Sequence, residues 1–330
     1  MIPDRSVAVI IAAYNVAPTI RDAVRSALDQ AETAEVVVVD DASSDGTAAV
    51  VDDLAREDTR VTLIRQHHNN GPAKARNLAI ETTTSPFVAI LDGDDILLPG
   101  RFTTMFAEPD WDFCADNIVF FTRFDQIEAI RRTFADGPSE AMELDFATFV
   151  EGNIPEHGKP RGELGFLKPV MRREFLVRHD LDYAEDCRLG EDFLLYCEAL
   201  AKGARYRVIA NCGYGALVRE NSLSGMHSVN DLAQLYRHES RLADTLDLSG
   251  SGKNLLRRRA RSTLRRLHHR EVLAARNDHG LVAGIRDGLR KPTAFLDIAK
   301  DRWQGITGKG GPQPFRPRSL LSPEDFTRGR

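Results

Sequence analysis

The stretch "FVAILDGDDILLPG", residues 87–100, begins with an apolar run and ends in three carboxylates, Asp92, Asp94 and Asp95. A short, continuous apolar run of this kind predicts a strand that is buried on both faces. Like charges at this spacing repel one another and resist joint burial. The strand therefore places three acids at one edge of a sheet, where another group must offset their repulsion.

The residues around this strand alternate between two patterns. Continuous apolar runs predict strands at residues 7–13, 36–39, 61–64 and 86–91. Apolar residues at helical spacing predict helices at residues 18–30, 47–56 and 73–82. Buried strands separated by helices are typical of a doubly wound α/β fold. We therefore predict a Rossmann-like, mostly parallel sheet with flanking helices.

The carboxyl ends of the predicted strands are where an open α/β sheet binds its ligand. Tyr14 follows the first strand, Asp41 follows the second, and Lys74 and Arg76 follow the third. An aromatic ring, two acidic sites and a basic pair should thus lie along one edge. Simpler interpretations remain open: Tyr14 as a core aromatic, residues 43–46 as a helix cap, and the acids after the fourth strand as a turn.

A hard cation would offset the repulsion among the three acids. Mg²⁺ and Mn²⁺ prefer oxygen ligands, and Mg²⁺ commonly uses one or two carboxylates together with substrate phosphates. Lys74 and Arg76 would then lie near a diphosphate or pair with the acids. The chain has no GxGxxG turn, Walker loop, GxSxG, HExxH or Cys/His metal spacing, which argues against the dinucleotide, P-loop, hydrolase and zinc sites that those patterns mark.

Charge divides the chain into an acidic body and a basic tail. Residues 1–250 carry 25 Lys or Arg and 42 Asp or Glu, a balance of −17, whereas residues 251–330 carry 19 and 7, a balance of +12. The four cysteines form no CxxC pair, which favours a reduced, cytoplasmic compartment. The N-terminal apolar run is too short for a signal peptide, and no apolar window approaches the roughly 18–20 residues of a membrane span.

The domain organisation follows these composition changes. We predict a body over residues 1–248, with a first half at 1–105 and a second half at 106–248. The segment "SGSGKN", residues 249–254, predicts a flexible linker into a basic helical extension that reaches residue 304. Residues 305–330 contain nine Gly or Pro, which predicts a disordered tail.

The segment "KNLLRRRARSTLRRLHHR", residues 253–270, contains eight Lys or Arg and no acid, with apolar residues on one helical face. A basic amphipathic helix is typical of membrane-surface binding or of a partner helix. We expect a peripheral contact with the anionic inner leaflet, and the alternative is a helix packed on the body. Arginine clusters also bind phosphate backbones, but the body is acidic and no nucleic-acid motif occurs, so no nucleic-acid partner is expected.

A set of motifs resembles the family 2 glycosyltransferases, which have the GT-A fold. The motifs are "VIIAAYN" (9–15), "VVVVDDASSDGT" (36–47), "GPAKARNLAI" (71–80) and "ILDGDDILLPGRF" (90–102). The resemblance spans roughly residues 5–105 and continues more loosely through "LGEDFLLYCEAL" (189–200) and "YGALVRENSLS" (214–224). Within that family the chain is most similar to bacterial glucosyltransferases that build exopolysaccharide, of the succinoglycan type.

The resemblance implies roles for the matching positions. Tyr14 would stack on a uracil-like base, and Asp41 would accept a hydrogen bond from its ring N–H. Asp92 and Asp94 would form the DxD-type motif, with Asp94 the more direct metal ligand. The other implied site residues are Arg76 near the donor phosphates or the acid cluster, Asp192 as catalytic base, Glu191 beside it, and Arg219 over the diphosphate.

The predicted function is metal-dependent, inverting transfer of a sugar such as glucose. The donor would be a nucleotide-diphosphate sugar, with a UDP-sugar favoured, and the cofactor Mg²⁺ or Mn²⁺. The acceptor would be a hydroxyl of a glycan or lipid-linked oligosaccharide in bacterial polysaccharide biosynthesis, met in the cytoplasm or at the inner membrane face. Two alternatives stay open: a nucleotidyltransferase, and a non-catalytic protein that binds sugar nucleotides or acts as a scaffold.

Overall fold

The structure of the protein is a computed structural model. It describes residues 4–135, 141–155, 164–218, 227–291 and 315–326. The strands are β1 (Val7–Ala13), β2 (Thr33–Asp40), β3 (Val61–Arg65), β4 (Phe87–Ile90), β5 (Ile96–Leu97), β6 (Phe113–Phe121), β7 (Met142–Leu144), β8 (Val170–Arg172), β9 (Tyr206–Leu217) and β10 (Arg318–Ser319). The helices are α1 (Ile20–Leu28), α2 (Thr47–Glu57), α3 (Pro72–Thr82), α4 (Arg101–Met105), α5 (Ile127–Ala135), α6 (Phe146–Gly152), α7 (Arg173–Arg178), α8 (Glu191–Ala201), α9 (Val229–Thr245), α10 (Gly250–His279) and α11 (Leu281–Arg290).

All ten of these strands belong to one sheet, in the order β3-β2-β1-β4-β8-β6-β9-β5, with β10 beside β6 and β7 beside β9. The first half is parallel: β1 pairs with β2 and β4, and β2 pairs with β3. The second half is mixed, because β8 runs antiparallel to both β4 and β6, whereas β6 and β9 are parallel. The predicted α/β fold is therefore confirmed, and the parallel arrangement holds for the first half of the sheet.

The uninterrupted apolar strands are explained by two cores, one on each face of the sheet. Along β1, Ala8 and Ile10 enter the core that α3 and α8 cover. The alternate residues Val9 and Ile11 enter the core that α1 and α2 cover. Successive side chains of a strand point to opposite faces, so a strand buried on both sides is mostly apolar. After β1 and β4, polar residues begin where the strand ends, which is where the site forms.

The basic extension packs on the body. Leu256, Ala260 and Leu267 of α10 are buried, and α10 contacts both α9 and α6. The predicted linker at residues 249–254 is wrong: Ser249 caps α10 by accepting a hydrogen bond from the Gly252 N–H, at 3.3 Å. A Cβ added at Gly252 would lie at an ordinary contact distance, 3.5 Å, from the ring of Phe146, so α10 and α6 are packed against each other here. No helix within the described ranges has the length and apolar character needed to cross a bilayer.

The last described segment returns to the sheet. Arg318 and Ser319 pair with β6, and the buried Asn117 side chain both donates to the Leu321 carbonyl and accepts from the Leu321 N–H, each at 2.9 Å. Leu321 and Phe326 are buried in the core. The predicted disordered tail is therefore wrong for residues 315–326, because two apolar anchors and a strand pairing outweigh the Gly and Pro content around them.

Candidate active site

The loops after β1 and β2 are tied to each other by side chains. Asn15, at a positive φ of 52°, accepts a hydrogen bond from the Ser44 N–H at 2.8 Å, and its own N–H donates to Ser43 Oγ at 2.9 Å. Asp45 accepts from the Thr47 N–H at 2.9 Å at the start of α2. Residues 43–46 thus have a structural role, but the cap interpretation is wrong in detail, because the N-cap of α2 is Gly46 and no side chain caps that helix. Next to this braced loop, Tyr14 is 48% exposed, so it is not a core aromatic.

Asp41 fixes the loop that enters α3. Its buried carboxylate accepts hydrogen bonds from the N–H groups of Asn70 and Gly71, both at 2.8 Å. Gly71 has a φ of +92°, a conformation that L-residues with a side chain rarely adopt. Each carboxylate oxygen has a second lone pair, so Asp41 could still accept a hydrogen bond from a ligand.

The three acids after β4 have different surroundings. Asp95 is buried and accepts from the Tyr214 hydroxyl at 2.8 Å and from the Leu217 N–H at 2.9 Å. The same Tyr214 oxygen accepts from the Asp92 N–H at 3.2 Å. Burial, reinforced by Asp92 and Asp94, raises the pKa of Asp95 well above its ordinary value. Asp95 therefore supports the turn, while Asp92 and Asp94 lie towards the edge, each partly exposed.

Asp92 belongs to a cluster of three carboxylates and two cations. Arg76, buried in α3, donates to Asp92 at 2.8 Å, to Glu191 at 2.8 Å and to Asp192 at 3.2 Å. Lys168, just before β8, lies 2.7 Å from Asp192 Oδ2 and 3.1 Å from Asp92 Oδ2. With three carboxylates and two cations, the cluster has a net formal charge of −1. It joins residues that are far apart in sequence.

The chain brings Glu191 and Asp192 into this cluster by a sharp turn. Gly190 has a φ of +75° and is followed at once by α8, whose first two residues are Glu191 and Asp192. The positive end of a helix macrodipole favours negative charge at this place. A Cβ added at Gly190 would also lie 3.0 Å from the end of the Leu235 side chain, so the backbone conformation favours glycine, and a larger residue would make Leu235 shift.

Burial and charge act in opposite directions on the groups of the cluster. Burial alone would raise the pKa of Asp92, but Lys168 and Arg76 outweigh it and hold that pKa well below its usual range. Burial would lower the pKa of Lys168, but Asp192 and Asp92 outweigh it, so that pKa is raised. Burial raises the pKa of Glu191, with Arg76 opposing this and Asp192 adding to it. Lys168 thus remains charged, and Asp92 remains a carboxylate.

The described residues contain no group of three or more His, Cys, Asp or Glu side chains placed to hold a metal ion. Both oxygens of Asp92 face cations, Arg76 and Lys168, so Asp92 is held in the ion-pair cluster. Asp94 is partly exposed on the same turn. A single carboxylate beside a substrate diphosphate is a known arrangement for Mg²⁺. The residues therefore fit a cation that substrate and protein share, with Asp94 as the protein ligand.

Comparison with known proteins identifies the family of the chain. The sequence model described as "Glycosyl transferase family 2" matches residues 8–156. The succinoglycan biosynthesis protein ExoU of Rhizobium meliloti (strain 1021) is 42% identical over 312 residues, which are 93% of this chain and 91% of ExoU. The chain belongs to glycosyltransferase family 2. The enzyme class is therefore glycosyltransferase.

Solved structures share the fold of this family 2 glycosyltransferase. S. aureus TarS 1–349 in complex with UDP-GlcNAc has a TM-score of 0.60 at 19% identity, with 87% of this chain and 92% of that chain covered. The mannosyltransferase PcManGT from Pyrobaculum calidifontis, in complex with GDP-Man and Mn²⁺, has a TM-score of 0.54 at 20% identity, with 90% and 80% covered. At these identities the likeness shows the fold alone, and it agrees with the predicted GT-A arrangement.

The structure of this family 2 glycosyltransferase brings together Arg76, Asp92, Glu191 and Asp192 as a contact cluster. Of the two places left open for Arg76, the structure shows the acid cluster. Tyr14, Asp41 and Asp94 lie on the loops at the same sheet edge. Arg219 lies outside the described residues.

Sequence reasoning missed one residue of the cluster, Lys168. It is buried, and its carbonyl oxygen accepts a hydrogen bond from the buried Arg101 guanidinium. Its signal in the sequence is a lysine inside the apolar run "LGFLKPV", residues 164–170. A lysine is almost never fully buried unless it is paired, so a charged partner could have been inferred, though not which one.

Proposed function

We propose that this glycosyltransferase moves a sugar, with inversion, from a nucleotide-diphosphate sugar to an acceptor hydroxyl, with Asp192 as the general base. One observation carries the proposal. Asp192 lies in the first turn of α8, where Arg76 and Lys168 hold its two oxygens and link it to Asp92 after β4. A carboxylate fixed in this way, at the carboxyl edge of the sheet, can accept a proton from a hydroxyl bound there.

The donor side of the proposal rests on the loops after β1, β2 and β4. The exposed ring of Tyr14 would stack on a base, and Asp41, with its spare lone pairs, would accept a hydrogen bond from the base N–H. A UDP-sugar suits this pair, because uracil offers one ring N–H beside a flat face. Asp94 would hold Mg²⁺ or Mn²⁺, and the ion would supply positive charge that stabilises the leaving group.

The chemical step uses the residues of the cluster as follows. The acceptor oxygen attacks the anomeric carbon on the face opposite the diphosphate, and Asp192 takes the hydroxyl proton. The bond from that carbon to the diphosphate oxygen breaks, and the nucleoside diphosphate leaves with the electron pair. Attack from the opposite face inverts the configuration at that carbon. Arg76 and Lys168 hold the carboxylate in position through their hydrogen bonds, which lowers the entropy lost on reaching the transition state. Glu191 shares Arg76 with Asp192 and acts as a positioning residue.

We also propose the biological setting. By analogy with ExoU, the acceptor would be a glycan or lipid-linked oligosaccharide in bacterial polysaccharide biosynthesis, and the transferred sugar could be glucose. All four cysteines are buried and form no disulfide, as a reduced cytoplasmic compartment favours. A lipid-linked acceptor and the basic segment 253–270 together suggest a peripheral contact with the inner membrane face.

The base assignment is tested by an isosteric pair of variants, Asp192→Asn and Glu191→Gln. Asp192→Asn should lower kcat for transfer by ~10²–10⁴-fold, the usual contribution of a general base, with little change in KM for the donor. Glu191→Gln is the matched control: it lies one residue away on the same helix, also contacts Arg76, and should lose much less. Equal losses in the two variants would remove Asp192 from the role of base.

The donor and metal assignment is tested by thermal shift. The wild-type protein is heated with UDP-, GDP- and dTDP-sugars, each with and without Mn²⁺. Stabilisation by a UDP-sugar only when Mn²⁺ is present is the expected result, because a ligand that binds only the folded state raises Tm. Asp94→Ala should abolish that metal-dependent shift and keep the Tm of the free protein. A full shift with UDP-sugar in the presence of EDTA would exclude the proposed metal bridge.

A further inference from the structure

Helix α11 presents its large apolar residues to solvent. These are Leu281, Val282, Ile285 and Leu289, with exposed fractions of 63%, 81%, 44% and 73%. Residues three, four and seven positions apart share one face of a helix, so the four side chains form a continuous stripe. Arg286 and Arg290 flank that stripe on one side. A contiguous exposed apolar surface beside basic residues marks an interaction site.

A neighbouring face of α11 is packed against α10. It carries the buried Gly284 and Gly288, and a Cβ added at Gly284 would lie 2.7 Å from the Cβ of Arg276. Lys291, just beyond α11, bridges Glu271 of α10 at 2.9 Å and Asp287 at 2.8 Å. The two helices are therefore in close contact through glycines, and the apolar stripe beside this contact stays exposed.

Helix α10 carries a row of exposed arginines. Arg258, Arg261 and Arg265 are exposed, and they follow each other at spacings of three and four residues, so they share one face of the helix. The buried face of α10, which contains Leu256 and Ala260, is on the other side of the helix. We call this arginine row and the exposed stripe of α11 together the hairpin surface.

We propose that the hairpin surface binds an anionic lipid bilayer, with the stripe of α11 at the boundary between headgroups and acyl chains. An amphipathic helix with apolar residues on one side and arginines beside them has the composition of an interfacial helix. The arginines of α10 would lie over the headgroup phosphates, where each basic residue strengthens binding by about fivefold.

The charge of the surface decides between a bilayer and a second copy of the chain. A symmetric dimer places the same patch on both subunits, so two hairpin surfaces would bring their arginine rows together. An anionic bilayer offers the opposite charge as well as an apolar interior. The proposal rests on the membrane contact proposed above and assigns it to α11 and the arginine row. Its test measures lipid binding and requires no turnover. The membrane proposal would therefore be unaffected if the proposed transfer chemistry proved wrong.

The test is co-sedimentation of the full chain with phosphatidylcholine vesicles, with and without phosphatidylglycerol. The double variant Val282→Ser/Leu289→Ser should weaken binding to the anionic vesicles by about tenfold or more, since it removes two apolar side chains from the interface. Val177→Ser is the matched control, because Val177 is 73% exposed on α7, and it should bind as the wild type does. Arg261→Gln/Arg265→Gln should weaken binding to anionic vesicles only, whereas the surface control Arg56→Gln should not.

Three results would overturn the proposal. The first is wild-type protein that does not sediment with anionic vesicles, and the second is stripe variants that bind these vesicles as well as Val177→Ser does. The third is light scattering that shows a wild-type dimer and a monomeric stripe variant, with no lipid binding by either, which would assign the hairpin surface to a second copy. Release of UDP from UDP-glucose at the wild-type rate, or an unchanged Tm where there is no turnover, verifies that the variants are folded.

Discussion

Lys168 is the residue whose removal should reveal most about the cluster. The substitution Lys168→Met keeps the length and apolar stem of the side chain and removes its charge. It changes the net formal charge of the cluster from −1 to −2, and it leaves Asp192 Oδ2 and Asp92 Oδ2 without their ammonium partner at 2.7 and 3.1 Å. The two acids differ in access to water, because the Asp192 side chain is 11% exposed and that of Asp92 is 33% exposed.

The expected magnitude follows from that difference. Breaking a buried ion pair by removing one partner costs about 3–5 kcal/mol, and the Asp192 pair should lie near the lower figure. Asp92 can recover hydration, so its share should resemble a surface pair, about 0–1 kcal/mol. The free energy of unfolding should thus fall by roughly 3–4 kcal/mol in total, or about 4–6 °C in Tm for a chain of 330 residues.

The assay is urea unfolding of matched variants at neutral pH, supported by calorimetry. Lys74→Met is the control, because Lys74 is half-exposed and lies 3.9 Å from Glu185; its cost should stay within about 0.5 kcal/mol. Asp192→Asn should cost less than Lys168→Met, since it brings the cluster to neutrality. The double variant should be more stable than the sum of the two single effects by about 1 kcal/mol or more. Additive effects, or equal costs for Lys168→Met and Lys74→Met, would refute the buried ion pair.

Three further predictions address other parts of the molecule. Burial would raise the pKa of Glu35, but hydrogen bonds from Ser85 and Thr84 outweigh it and lower that pKa. The wild-type protein should therefore be more stable than Glu35→Gln above about pH 5, and this difference should disappear as the pH falls. A pH-independent difference in urea unfolding would contradict this. Phe326→Ala should cost about 3 kcal/mol or more in the same assay, and a neutral result would show that the tail segment does not pack. Tyr14→Ala should weaken UDP-sugar binding in calorimetric titration by about tenfold while Tm is unchanged, and unaltered binding would remove the stacking role.

The first half of the fold follows from local pattern. Alternation between apolar runs and helical spacing is a short-range signal, and it locates β1 to β4 together with the helices between them. The same signal identifies the acids after β4, since a buried strand that ends in carboxylates is visible without knowledge of its neighbours. The later part of the sheet escapes this reasoning, because the antiparallel placement of β8 between β4 and β6 depends on pairing partners far apart in the chain.

The prediction of the cluster has the same limit: local sequence pattern identifies some of its residues, and long-range pairing determines the rest. Asp92 and Arg76 could be predicted to lie at the same edge, since the carboxyl ends of parallel strands meet there. Lys168 could not be assigned, because its partners lie 24 and 76 residues away along the chain and its position depends on β8. The linker and tail predictions were wrong for a related reason: glycine and proline were interpreted as flexibility, whereas Ser249 caps α10, and Leu321 and Phe326 are buried. Composition describes what a segment can do alone and says little about what packs on it.

The pairing of β10 with β6 has a consequence for protein synthesis. Residues 318 and 319 pair with the backbone of Val119 and Phe120 in β6. The backbone of Leu321 forms hydrogen bonds with the side chain of Asn117. A ribosome that adds about 5–20 residues per second needs roughly 10–40 s to reach residues 318–321 after β6 has been made. During that interval β6 offers an unpaired strand edge, the kind of surface that pairs with other chains. We therefore expect nascent or C-terminally shortened chains to need a chaperone, whereas the finished chain closes its own sheet.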